Sequence, residues 1–528
     1  MNKVFQLTAT SLLVSGVSLP LSATDIGKAA CMSPPIMAAA MTQFVSPTVN
    51  GVPELIKVGR HSDKDTLRFT FQHYLNLNGV GVPLPKETIT ITPDKFETNP
   101  LFFLEILKQP YAQLDLLKKP VQANTLIEWL LPKREAKIFG KLPALLLTTN
   151  ISNEGTGESE LVGFPYQREI KDGGDKPVFN WKGLKGQFTF TNKQGPQTLS
   201  LNLLGLTIEE TGKGLISLGE TTFEGAFNVG ADSSVIPSTI NLNLPSFKGH
   251  IEREKLDWNL QALTFNVNGN QTSKGLAIGE TNLQIGHFDF RKKASTFSLN
   301  EVKLALKGEP QEQDDVINIT MQAEIGKLGL PKKVTSGEEL EVSYMGDIAF
   351  RRLDADALLT LQTTAEQLHK ETNEAKVLRK MNEKMMELIP QFLEKSPEFV
   401  LNQTVTTSKG NLQGHLTVGI DGEKVTSLEN PFALILALQA QATFSISKDL
   451  LTQILKAMEN GSSRKAKKAR KFKEQLLPMF IAKKWLIETD DSYKAAAKFK
   501  NGKLTVNGQR LPLPLPSFRE RSRTFLDE

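Results

Sequence analysis

A chain of 528 residues with 39% hydrophobic and 23% charged side chains has material for a packed core, and global disorder is excluded. Its formal net charge of +5 is a slight excess spread over 63 basic and 58 acidic residues, so nucleic acid is not an expected partner. A single cysteine, Cys31, excludes a disulfide framework within the chain.

Residues 1–23 read as a signal peptide. Lys3 gives a positive start, Val4 to Thr24 carries no charge, and Leu12, Leu13, Val14, Val17 and Leu19 form an apolar stretch that Pro20 ends before the small Ala23. Thr8, Thr10, Ser11, Ser15 and Ser18 dilute that stretch as a permanent span. The expectation is export to the periplasm, with inner-membrane association if the segment is retained. Ala29-Ala30 before Cys31 suggests lipidation, but Asp25 and Lys28 interrupt the apolar run that a lipoprotein signal needs.

Residues 24–140 read as a mixed segment. Leu67, Phe69 and Phe71 share one face of a strand, Ile89 and Ile91 begin another, and the Leu-rich stretch from Pro100 to Ile138 reads as partly helical. Residues 141–352 read as a repetitive β domain. Leu145 to Leu147 is a buried strand, and Leu199, Leu201 and Leu203 alternate with polar residues, as do Phe265 and Val267, Leu283 and Ile285, and Val302, Leu304 and Leu306. Asn266, Asn268 and Asn270 around Gly269 read as a flexible hairpin region. One phrase occurs nearly twice: Leu204 to Ile208 leads to Gly214 to Thr221, and Gln261 to Phe265 leads to Gly275 to Thr281. Such self-similarity predicts a sheet extended by repetition.

Residues 353–528 read as a helix-containing C-terminal domain ending in a β-hairpin. Asp354 is placed to cap a helix from Ala355, closed at Pro390 and Pro397. Strands return over Phe399 to Ile420, a second helix starts at Ser447 or Asp449, and a third stretch from Arg464 to Ile487 is bent or broken at Pro478. Asn501-Gly502 between alternating residues signals a hairpin. The fold class expected is α+β, predominantly β: an elongated repetitive antiparallel sheet with helices inserted in the C-terminal half.

Four ordered segments carry a family resemblance. They are Trp181-Lys182-Gly183-Leu184, Phe350 to Leu359, Leu388 to Pro397 followed by Gly410, and Tyr493 with Phe499 to Gly508. Together they make the chain resemble the YdgA-like family of bacterial envelope proteins over residues 140–510. The resemblance implies an extracytoplasmic, β-rich protein and brings no catalytic residues with it.

The residues themselves offer no reaction. The six histidines lie far apart in sequence, His61 with Asp63 and Asp65 reads as a solvated turn, and neither a phosphate loop nor a nucleophile elbow is present. No cofactor or metal site is expected. Glu220 and Glu280 occupy matching places in the repeated phrase, which points to a shared structural position more than to an acid–base pair. The run of Arg464, Lys465, Lys467, Lys468, Arg470, Lys471 and Lys473, followed by an apolar stretch with Trp485, is a candidate contact for an anionic membrane surface; the plainer alternative is a solvated helix face packed on the sheet. The leading expectation is a non-enzymatic envelope protein offering a long β groove or face to a lipid or protein partner. The alternative is a hydrolase acting on cell-wall or lipid material with loop carboxylates. A homodimer through an exposed sheet edge is a further expectation.

Overall fold

The computed structural model describes most of residues 67–512, leaving out 92–119 and shorter stretches between elements. The signal peptide, Cys31, the His61 turn and His369 lie outside the described residues. By internal packing the chain divides into a larger unit, residues 17–341 with 355–387, and a smaller one containing 342–354 and 388–528.

The larger unit is built from strands β1 (Leu67–Leu77), β2 (Val80–Pro83), β3 (Glu87–Ile91), β4 (Val121–Leu130), β5 (Leu145–Ile151), β6 (Thr156–Gly163), β7 (Tyr166–Glu169), β8 (Val178–Trp181) and β9 (Leu184–Thr191). It continues through β10 (Gly195–Leu203), β11 (Leu206–Glu210), β12 (Gly214–Leu218), β13 (Thr221–Val229), β14 (Val235–Ile251), β15 (Leu256–Gln271), β16 (Ala277–Lys292), β17 (Ser295–Gln311) and β18 (Val316–Leu330). Every pairing reported among them is antiparallel. One rung can be followed through twelve strands: His73, Thr125, Leu147, Leu161, Gly186, Leu201, Phe223, Leu242, Phe265, Leu283, Leu304 and Ala323. Strict alternation along each strand is what puts these residues on one face.

Burial changes along that rung. At the β1 end His73, Thr125, Leu147 and Leu161 are buried in a core with Phe71, Ile127, Phe188 and Phe227; Phe265 and Leu283 are half-buried, and Leu304 is 39% exposed. Along this rung cover is therefore complete near β1 and partial at β17, while Val316, Ile317 and Ile319 at the start of β18 are buried again.

Several expectations need correction. Residues 121–130 form a strand, not a helix, because Ala123, Thr125 and Ile127 are fully buried at period two while the intervening residues are not. Asn266 to Asn270 lies inside β15, where Gly269 pairs with Gly279; the turn comes at Gly275, whose φ of +88° and bond to Thr272 O reverse the chain. The repeated phrase is only half a structural repeat, as described below.

Helix α1 (Ala355–Leu368) begins where the sequence places it, its first amide donating to Asp315 O at 3.0 Å. Lys274 links Asp315 (2.8 Å) to Asp356 (3.0 Å) beside this start. Helix α2 (Glu374–Glu394) does not stop at Pro390. Met381, Met385, Leu388 and Phe392 are all buried, so one apolar stripe runs past the proline and holds the turn that lacks its amide.

The smaller unit is an antiparallel meander. In β19 (Leu340–Asp354), residues Val342–Arg351 pair with β20 (Glu398–Thr407), followed by β21 (Gly410–Ile420) and, after helix α3 (Pro431–Ala437), β22 (Leu438–Ser447). Helices α4 (Lys448–Glu459), α5 (Ser463–Lys471) and α6 (Leu477–Ala482) precede β23 (Ile487–Glu488), and β24 (Ser492–Lys500), β25 (Lys503–Val506) and β26 (Gln509–Leu511) complete the sheet on β22. The hairpin at Asn501-Gly502 is present, with φ of 52° and 69° at the two turn residues. Leu412, Ile446 and Leu450 form its core with Val405, Phe444 and Tyr493.

The sealed end carries a titratable group. His73 is 2% exposed, its Nδ1 lies 2.7 Å from Thr125 Oγ1, and burial pushes its pKa down from 6.5 to about 4. Between those values the unfolded chain binds a proton that the folded chain refuses, so stability falls as pH falls through that window. The loss is on the order of 2–3 kcal/mol at the acid end. Urea denaturation across this window is expected to show a shallower acid-side decline for His73→Asn than for wild type; equal slopes would contradict the assignment.

Candidate functional site

The open half of the larger sheet, β14 to β18, separates its side chains by chemistry. One rung reads Leu244, Leu263, Ile285, Val302 and Ile325, and another reads Phe247, Leu260, Phe288, Leu299 and Leu328. The rungs of the other face are polar: Thr264, Gln284, Lys303 and Glu324, or Gln261, His287, Asn300 and Lys327.

Between the two apolar rungs the pattern slips. Along a regular strand, Leu263 and Leu260 would point to opposite faces, and the same holds for Leu244 and Phe247, Ile285 and Phe288, Val302 and Leu299, and Ile325 and Leu328. In all five strands the slip falls at one row: Pro245, Ala262, Gly286, Glu301 and Gly326 drop out of the pairing register together. Ala262 and Glu301 there adopt left-handed backbone, with φ of 53° and 54°. The register is the same on either side of the row, so each strand leaves one residue unpaired opposite its neighbour's, and the alternation restarts one residue out of phase. Sequence and backbone slip together, so the apolar series stays on one face.

The row continues toward the sealed end. It passes Gly219, whose amide donates to Ser246 O at 2.8 Å, and then Gly205 and Gly183, with φ of 117° and 109° and reciprocal bonds Lys182 N to Gly205 O and Leu204 N to Gly183 O at 3.0 Å. Beyond it, Phe247, Leu218, Leu206, Trp181 and Tyr166 form one rung. Trp181, Leu206 and Tyr166 belong to the same core as Leu161, Leu201 and Phe223 from the other side of the row. Both halves of the sheet therefore feed one apolar face across a crease.

On the aromatic side of the crease, Phe247 and Trp258 lie 5.9 Å apart and Phe288 and Phe297 6.3 Å apart, ring centre to ring centre. The Trp258 ring lies over Gly249, its rung partner: a Cβ there would come within 2.0 Å of it. Most of this face is half-buried among the described residues, with Val267 and Val302 at 8% exposure and Leu304 at 39%. Half-covered apolar side chains on successive strands, with Leu304 exposed, leave room for an occupant.

The polar face is a hydrogen-bonded ladder. His287 is held between Asn300 and Asp289, and the Asn300 contact followed by the Asp289 carboxylate raises its pKa. His250 sits between Asp257 (2.6 Å) and Glu252 (3.0 Å); the Asp257 contact, then Glu252, raises its pKa as well. No group of three or more His, Cys, Asp or Glu side chains able to hold a metal occurs among the described residues.

Gly205 and Ala262, matched in the repeated phrase, both lie on the crease. The second half of the phrase does not match, because Glu220 adjoins the crease while Glu280 sits inside β16 opposite Asn268. Glu220 accepts from Asn202 (2.7 Å) and Glu280 from Asn282 (2.8 Å), so the two carboxylates have different settings. In the basic run, Lys467, Lys468, Arg470, Lys471 and Lys473 are exposed while Ala469 is fully buried; the side chains of Arg464 and Lys465 lie outside the described residues. The helix widens to a π turn over Phe472–Leu476 because Pro478 offers no amide to Glu474 O. It ends at Ala482, short of the expected Ile487, and Trp485 folds back to 6.0 Å from Phe480 with Lys483 Nζ 4.7 Å over its ring. No helix among the described residues is long and apolar enough to cross a membrane.

With this geometry in place the chain can be compared with known families. Residues 119–514, well over half of the chain, match a family of bacterial proteins of unknown function, DUF945. The chain belongs to that family. No curated protein matches it. The DUF945 span takes in the crease and both apolar half-faces, as well as the whole smaller-unit meander.

The crease generates a stability prediction. Ala262→Val would force a β-branched residue into φ near 53° and is expected to cost about 1–2 kcal/mol, whereas Ala262→Gly is expected to be neutral or stabilising. Urea midpoints read the difference; equal midpoints for Val and Gly would show that the left-handed backbone is not required there.

Proposed function

We propose that this DUF945 protein is an exported, YdgA-like envelope protein without enzymatic activity, whose larger sheet offers a groove-like apolar face to the acyl chain of a lipid. The observation that carries the reading is the crease, which keeps Leu, Ile, Val and Phe on one side of the sheet from a sealed core to half-open strands. Aliphatic and aromatic rungs with no aligned polar hooks suit a flexible hydrocarbon better than a structured polar ligand. Export is supported by the charge-free apolar stretch after Lys3 and by Pro20 and Ala23 at its end.

A fluorescent fatty acid titrated into the purified protein is the test. Binding is expected, with affinity reduced about tenfold or more by Leu304→Arg, which puts a charge on the open apolar side at an already exposed position. Lys303→Gln, on the polar face, is expected to leave affinity unchanged. Absence of binding, or equal loss in both variants, would contradict the acyl-chain reading.

A second surface supports peripheral membrane attachment. Lys467, Lys468, Arg470, Lys471 and Lys473 project from a helix whose other side, at Ala469, is packed away. Clustered exposed cations are drawn to anionic lipid surfaces by about 1 kcal/mol each. Replacing Lys467, Lys468, Arg470 and Lys471 by Gln is expected to abolish co-sedimentation with anionic vesicles at moderate salt; unchanged sedimentation would exclude this helix as the contact.

A further inference from the structure

The smaller unit holds a cavity of about 530 Å³ at one end of its meander. Two rungs floor it: Thr417 beside Gln441 and Lys498, and Gly419 beside Gln439 with Glu398 on its other flank. Three of the four segments that stand out in the sequence meet here. The segment Phe350 to Leu359 supplies Arg352, Leu388 to Pro397 supplies Ser396, and Phe499 to Gly508 supplies Phe499 and Lys500.

The charges lining it are not equivalent. Its two carboxylates are engaged: Glu398 accepts from Arg351 at 3.2 Å and Asp421 from Lys424 at 2.6 Å. The ammonium groups of Lys498 and Lys500 form no ion pair among the described residues, and Gln441 brings an amide to the same floor, while the Gln439 amide donates to Asp421 at 3.5 Å. Gly419 keeps the floor low: a Cβ there would meet Pro397 O at 3.6 Å and Glu398 Cβ at 3.9 Å, ordinary contacts, so a larger side chain fits the backbone and fills the space above.

We propose that this cavity binds a phosphorylated polar group, its phosphate held by Lys498 and Lys500 with the Gln441 amide donating to a remaining oxygen. Two cations without carboxylate partners, beside neutral donors, favour a compact dianion over a neutral sugar or a cation. The phosphate could arrive free or as an ester of a headgroup or sugar.

Isothermal titration calorimetry of the full chain at low salt, with inorganic phosphate, glycerol 3-phosphate and glycerol as separate titrants, tests this. At least one phosphate is expected to bind and glycerol is not. Tighter binding of the ester assigns the site to a headgroup or sugar phosphate, and equal or tighter binding of the inorganic ion assigns it to free phosphate. Affinity is expected to fall about tenfold or more in the Lys498→Gln, Lys500→Gln double variant and independently in Gly419→Val. Circular dichroism and Tm of each variant confirm that it is folded. No heat from either phosphate with wild type, or unchanged affinity in a folded variant of both kinds, overturns the proposal.

Discussion

Everything on the larger sheet depends on keeping alternation in phase with the backbone. A strand alternates faces with a period of two, so one uncompensated slip would turn half of the apolar side chains toward water. Five adjacent strands slip at the same row, and at that row the residues are those that tolerate an irregular backbone: proline without an amide, two glycines, and Ala262 and Glu301 in left-handed conformation. The slip is compensated in every strand because it is shared by every strand. A single regular strand among them would break the register of its neighbours.

The consequence is a face with two different ends. Near β1 the apolar rungs meet the aromatic residues Phe71, Phe188 and Trp181 and are sealed. Toward β17 the same rungs are only half-covered. The opposite face is tied down by hydrogen bonds between neighbouring strands, such as His287 to Asn300, and by ion pairs such as Arg291 to Asp257 at 3.0 Å. Exposed pairs of that sort add little stability; their effect is to keep one side of the sheet wet and the other dry.

Much of this build is legible in the sequence, and the failures have physical causes. The strands at Leu199 to Leu203 and Val302 to Leu306, the start of α1 after Asp354 and the Asn501-Gly502 hairpin are visible because each follows a local pattern: alternation, a change to helical period, or a turn that demands positive φ. The strand at 121–130 is hidden by leucines that suit a helix equally well, and the passage of α2 through Pro390 depends on a buried stripe that no local rule reports. The candidate face is only half legible. Its rungs appear as alternating segments, but the crease joining them requires noticing that Leu260 and Leu263, or Leu299 and Val302, share a face despite their odd spacing. The paired slip at Gln261-Ala262 and Asn300-Glu301 is the signal that would have shown it. The cavity in the smaller unit is legible only in pieces: three of the four ordered segments contribute to it, but their meeting depends on pairing between β20, β21, β22 and β24, which no local pattern reports.

The most direct test of the account is to map where hydrocarbon touches the protein. A photoactivatable fatty acid, crosslinked to the purified chain and located by peptide mass spectrometry, should label the apolar rungs on both sides of the crease, at Phe288 and Leu299 on one side and at Leu283 and Leu304 on the other. Labels confined to one side of the crease, or falling on polar-face residues such as Gln284 and Lys303, would show that the apolar series does not run on a single face.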